Sequence, residues 1–316
     1  MLVGLRSAGN KGLRNASILY LWLMTVFPSM EDPDGKLRRA KQHLEVFRDK
    51  VSAFKSLDSH TITVEDHPDT SEYVFKVEGL KPTDPGWGLV AGDCIHNMRT
   101  ALDHLVFQLA ILGQGGRELE DDEARSCWFP VYDDPRKLAN PSKDGPIKFL
   151  RRGEQTRIVE LQPFNAWDAS IWGHPDREQW LRQDGEARIP IHLQRLVLLD
   201  NIDKHRTVHA TWRVMAWWAA EKPPIPLLGY TGGRNPFENQ AEVGRWHYGA
   251  PRPELPADMD MDRYFPIDVA FDKLPLAYSA IEVLDWLIDV VGIVLEIFRP
   301  CVEAGAAALP LPSISA

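Results

Sequence analysis

Apolar residues recur along this chain at two different spacings, and the switches between them mark out its elements. Across residues 36–57, Leu37, Leu44, Phe47, Val51 and Phe54 keep to helical spacing, which predicts a long amphipathic helix. Residues 61–65 and 73–80 alternate apolar and polar side chains and carry β-branched residues, so they read as two short strands of a hairpin. Pro82, Pro85 and Gly86 then break the chain before its clearest pattern, residues 92–108. On a helical wheel Cys94, Ile95, Met98, Ala101, Leu102, Leu105, Val106 and Leu109 fall on one half. Asp93, His96, Asn97, Arg99, Thr100, Asp103, His104 and Gln108 fall on the other, with Phe107 the one apolar residue among them. Gly113, Gly115 and Gly116 supply the stop.

Beyond this central helix the pattern predicts an acidic solvated loop at 118–123 and a long connection at 128–147. Helices are expected at 148–161 and 191–209, with a loop-rich stretch between them that carries several Trp. Residues 213–274 are punctuated by Gly and Pro and hold strand-like pieces at 213–219 and 267–271. A last helix is expected at 278–298, with Glu282, Asp285, Asp289 and Glu296 as its acidic stripe. The fold class is therefore α+β, mainly a helical bundle with a β-hairpin and a β-rich insertion. The expected divisions are an extension at 1–29, a helical core with its hairpin at 30–212, the β-rich insertion at 213–274, a C-terminal helix at 275–300 and a flexible tail at 301–316.

Residues 1–29 share with a signal peptide a basic leader (Arg6, Lys11, Arg14) and an apolar run at 16–27, but no small-x-small cleavage site follows. Met30 opens a soluble-looking stretch, so a start assigned too far upstream is favoured over export. Composition adds little to the fold: 44% hydrophobic and 26% charged residues are those of a soluble globular chain. Eleven Trp point to core and seam packing before any stacking platform. The net charge of −9 opposes a general nucleic-acid coat, so any RNA contact is expected to be local, and no DNA or membrane partner is expected. Cys94, Cys127 and Cys301 are widely spaced and odd in number, which excludes a disulfide framework and a thiolate zinc knuckle and points to a reducing, cytoplasmic setting.

The polar half of the central helix carries the candidate chemistry. It lacks Lys and Glu, the usual residues of a wet face, and offers acids, bases and anion binders instead. Arg99 could hold a phosphate in the fixed fork of its guanidinium, and His104 could move a proton. They stand about 140° apart on the wheel, with His96 and Asp103 between them as orienting groups or a second proton carrier. A second polar cluster, Asn201, Asp203, Lys204, His205 and Arg206, either fixes one helix against another or lines the same cleft. His205 and His209 have the spacing of a metal pair on one helix side, but Arg206 stands where a zinc protease has Glu, so no metal is expected. No phosphate-binding glycine loop appears, and Thr231-Gly-Gly-Arg234 has no helix after it. No cofactor is expected.

Arg99-Thr-Ala-Leu-Asp-His104 has the form Arg, four residues, His, which resembles the signature of the HEPN (higher-eukaryote-and-prokaryote nucleotide-binding) family. Residues 96–110 (HNMRTALDHLVFQLA) and 198–206 (LLDNIDKHR) also resemble recurrent segments of uncharacterised bacterial and phage proteins. The HEPN resemblance implies a small helical bundle that dimerises and often cleaves RNA without metal, in a toxin or phage-defence setting. Only Arg99 and His104 match. The family usually has Asn, Asp or His directly after the Arg, where this chain has Thr100. The favoured reading is therefore a HEPN-like, metal-independent endoribonuclease, and its alternative is a non-catalytic HEPN-like module that binds a nucleotide, RNA or a protein partner. An exported protein of unknown role is a third reading, tied to residues 1–29.

Overall fold

The computed structural model describes residues 27–57, 60–141, 143–165, 189–214, 223–232, 238–272 and 278–308. Among these, the chain runs α1 (Glu31–Leu57), β1 (Thr61–His67), β2 (Glu72–Glu78), α2 (Gly86–Gly113), α3 (Asp121–Arg125) and α4 (Arg152–Glu160). It continues with α5 (Ile189–His205), β3 (Ala210–Val214), β4 (Gly229–Gly232), β5 (Glu242–His247), β6 (Ile267–Phe271) and α6 (Ala280–Ala308). The fold is mixed α+β with antiparallel sheets. No helix of the described residues is long and apolar enough to cross a membrane. The expectations for residues 1–26 and for Trp167, Trp172, Trp180, Trp217 and Trp218 lie outside the described residues.

The chain divides into two compact units, one of residues 1–38, 98–197 and 289–316, the other of residues 39–97 and 198–288. In the first, Met98, Ala101, Leu102, Leu105, Val106 and Leu109 of α2 are buried, as are Leu193 and Leu196 of α5 and Val291, Val294, Leu295 and Phe298 of α6. Arg299 donates two hydrogen bonds to the Asp34 carboxylate, at 2.9 and 3.1 Å, tying α6 to the first turn of α1. The Ser29 N–H donates to Gln108 Oε1 at 2.9 Å, and that bond lets Gln108, expected on the polar half, sit buried.

The second unit holds both sheets. The four-stranded one has the order β1-β2-β5-β4. The hairpin expected within 30–212 thus pairs directly with a strand of 213–274, and β5 and β4 of the β-rich stretch complete the hairpin's sheet. One face of β2 and β5 is apolar. Phe75, Trp246 and Phe265 stack on it with ring centroids 4.6–5.6 Å apart. The pair β3-β6 forms the second sheet. The basic residues of α1 are not all merely solvated, since Arg48 bonds both oxygens of Asp285 and Lys55 pairs with Asp268 at 3.0 Å.

Several boundaries move for local reasons. α1 begins earlier than residue 36, with Glu31, Asp32 and Asp34 in its first turn, where the helix dipole favours carboxylates. Of the loop expected at 118–123, residues from Asp121 onward form α3, started by the Glu120 and Glu123 capping box. α4 is shorter than 148–161 because Gln155 Nε2 takes the carbonyls of Ile147 and Leu150, holding the preceding turns apart from it. α5 stops at His205, and the backbone beyond joins a sheet, where the Asp272 N–H bonds the His209 carbonyl. α6 starts on a reciprocal Ser279–Glu282 capping box. It runs on to Ala308 with Pro300 inside it, so residues 301–308 are helix and the flexible tail expected there is corrected.

Candidate functional site

α2 carries the candidate residues, and its apolar half is buried as the wheel requires: Cys94, Ile95, Met98, Ala101, Leu102, Leu105 and Val106 are fully covered. What its polar half does differs between the two units.

In the first unit Arg99 and Asp103 act on one peptide segment. Arg99 Nη2 donates to the Phe129 carbonyl at 2.7 Å, and the Phe129 N–H donates to Asp103 Oδ1 at 2.9 Å. The two side chains also pair with each other at 3.0 Å. Helical i, i+4 spacing places them side by side, so both main-chain groups of Phe129 are satisfied by one turn of α2. Phe129 is itself buried, and only 11% of the Arg99 side chain is exposed. Arg99 Nη1 is buried without a hydrogen-bond partner. His104 is half-buried on the same helix.

In the second unit His96 is exposed and faces a different set of groups. Asp203 of α5 packs on α2 at Gly92, so closely that a Cβ there would collide with its carboxylate. Glycine is what allows this approach. Burial raises the Asp203 pKa, the neighbouring Asp200 and Asp93 carboxylates push it further up, and His96 opposes them. Asp200 is almost fully buried and pairs with Lys204 at 2.6 Å. On α1, His43 Nδ1 stands 4.0 Å from Asp93, and its pKa is lowered by burial first and by Arg39 second.

The two expected clusters thus meet in one place, His96 with Asp203, and part elsewhere. Asn201, His205 and Arg206 are exposed on α5 or just past it. His205 and His209 do not share a helix, because α5 ends between them. Among the described residues no group of three or more His, Cys, Asp or Glu could hold a metal ion. The sequence reading missed Gly92, Asp200 and His43 as neighbours of this face and Phe129 as the partner of Arg99. The near repeat of Asp200 and Asp203 on one helix side was the available signal. Chemically, the Arg99–Asp103 pair is a main-chain clamp, and His96 lies within electrostatic reach of Asp203 beside two further carboxylates.

Comparison with known proteins returns no matching family model, no matching curated protein and no matching solved structure.

Proposed function

We propose that the chain is a HEPN-like helical module that works by binding a protein partner rather than by cutting RNA. The observation that carries this reading is the Arg99–Phe129 hydrogen bond. A guanidinium that holds an RNA phosphate needs its fork free, and here one arm bonds a backbone carbonyl and Asp103 together. The charge pattern supports the same reading: Asp200, Asp93 and His96 all act on the charge of Asp203, so carboxylates outnumber the imidazole there, and the chain carries a net −9, both unfavourable to a polyanion. His96 and His104 are then contact residues. A second copy of the chain is the first partner to test, because the HEPN resemblance implies a dimer. Three free cysteines accord with the cytoplasmic setting that belongs to this proposal.

The endoribonuclease is the second reading, and one observation favours it. Arg99 Nη1 is buried with no hydrogen-bond partner, so a phosphate oxygen that displaced its cover could accept from it while His104 carries the proton, with His96 and Asp103 in support. Incubation of single-stranded RNA with the full chain in EDTA separates the two. The expected result is intact RNA and a protein that sediments as a concentration-dependent dimer. Products with cyclic phosphate ends, lost in both Arg99→Ala and His104→Ala, would overturn the binding module in favour of the enzyme.

A further inference from the structure

The outer face of the four-stranded sheet holds an arrangement that neither reading uses. Strand alternation puts Glu72 of β2, Arg245 and His247 of β5, and Gly229 and Thr231 of β4 on one side. Thr231 Oγ1 lies 2.9 Å from His247 Nε2, and His247 Nδ1 lies 3.1 Å from Glu72 Oε1. Hydroxyl, imidazole and carboxylate thus stand in a line across three adjacent strands, the geometry of an activated nucleophile.

The direction of each hydrogen bond follows from Glu72. The Thr70 hydroxyl and the Arg245 guanidinium both donate to its Oε2, each at 3.0 Å. Together they hold its carboxyl below the usual range, against a smaller opposing effect of burial. An ionised carboxylate only accepts, so His247 Nδ1 must be the donor. In the neutral ring that leaves Nε2 with its lone pair, and the Thr231 hydroxyl donates to it. Glu72 is shielded, with 15% of its side chain exposed, while Thr231 is open to solvent at the sheet edge. Gly229 sits opposite His247 in register. A Cβ there would stand 3.6 Å from the ring, so a longer side chain would crowd the approach that glycine leaves open.

We infer that Thr231, His247 and Glu72 form an acyl-transfer site, with Thr231 as nucleophile, His247 as general base and Glu72 as the positioning residue, acting on small uncharged esters. In the first step Thr231 Oγ bonds to the ester carbonyl carbon and its proton passes to His247 Nε2. The bond to the leaving alcohol breaks, and His247 returns that proton to the departing oxygen. Water then repeats the sequence on the acyl-threonine, so ester and water give acid and alcohol with Thr231 regenerated. An uncharged substrate fits because Glu65, Glu72 and Glu242 make this face acidic, while Lys76 and Arg245 are paired to them. The inference stands apart from the binding-module proposal and involves none of its residues.

The full chain incubated with p-nitrophenyl acetate tests it, with nitrophenolate release followed by absorbance and the acetyl group located by peptide mass mapping. Acetylation of Thr231 is expected in the wild type, absent in Thr231→Val and retained in Thr231→Ser. His247→Gln should slow labelling about 10²-fold or more. Glu72→Gln should slow it too, with partial rescue in Glu72→Asp, which a purely structural carboxylate would not give. Melting curves confirm that each variant is folded. An unlabelled Thr231 in the wild type, or a folded His247→Gln that labels at the wild-type rate, would overturn the assignment.

Discussion

The Asp203 carboxylate occupies the space that a methyl group on Gly92 would need. Gly92→Ala should therefore force one of the two helices or the Asp203 side chain to shift, at a cost of about 1–3 kcal/mol. In an Asp203→Ala background most of that cost should vanish. Urea unfolding of both single variants and the double variant measures the coupling. Losses that simply add would show that the two positions do not touch.

Asp203 also sets a pH dependence of definite sign. Its pKa is raised in the folded chain, so the native state binds its proton more readily than the unfolded state. Its contribution is unfavourable at neutral pH and fades as pH falls through the raised value toward the ordinary carboxylate range. Asp203→Asn should then melt higher than the wild type at pH 7, with the difference closing at acidic pH. The comparison must be between variants. Carboxylates such as Asp134, held at about 2 mainly by its hydrogen bond with Arg136, act in the opposite sense, and their stability is lost on acidification. A difference that grows as pH falls would contradict the assignment.

Arg99→Ala removes the donor to the Phe129 carbonyl and the cation paired with Asp103, which keeps its hydrogen bond from the Phe129 N–H. Asp103 keeps some solvent contact, so the expected loss is about 2 kcal/mol, below that of a fully buried pair. A substitution on a merely wet helix face would stay within about 0.5 kcal/mol. Chemical denaturation distinguishes the two outcomes, and a loss near zero would free Arg99 for ligand binding. Leu102→Ala, on the covered face, should cost about 2–5 kcal/mol and serves as the control.

Thiol reactivity should follow burial. Burial, with a smaller contribution from Asp285, pushes the Cys94 thiol up to about 12, and burial also raises Cys127. Cys301 is the more accessible of the three. Iodoacetamide should modify Cys301 first, while Cys94 should react only as the chain unfolds. Rapid modification of Cys94 in the native protein, seen by peptide mass mapping, would contradict its placement between α1 and α2, where it donates to the Ala40 carbonyl.

What the sequence made legible was local. The buried half of α2 could be named residue by residue because helical periodicity is a short-range signal, and the hairpin followed from alternation for the same reason. The pairing of β2 with β5 was not legible, since strand partners far apart in sequence leave no periodic trace. The clamp on Phe129 was hidden likewise: nothing in Arg99–His104 says that a main chain 30 residues on will arrive to meet it. A helix face built of Arg and Asp reads the same from sequence whether it awaits a ligand or already holds its own backbone. The short run around Thr231 was read as a weak glycine loop because its partners lie on two other strands.

Neither unit is a continuous stretch of chain, and both draw on α6. Arg299 reaches back to Asp34 and Asp285 to Arg48, each across more than two hundred residues. On the ribosome these partners emerge more than two hundred residues after α1 begins, and α1 waits that long before its ion-pair partners on α6 can reach it. Folding one unit at a time in order of synthesis is closed to such a topology, because each unit needs segments far apart in the sequence.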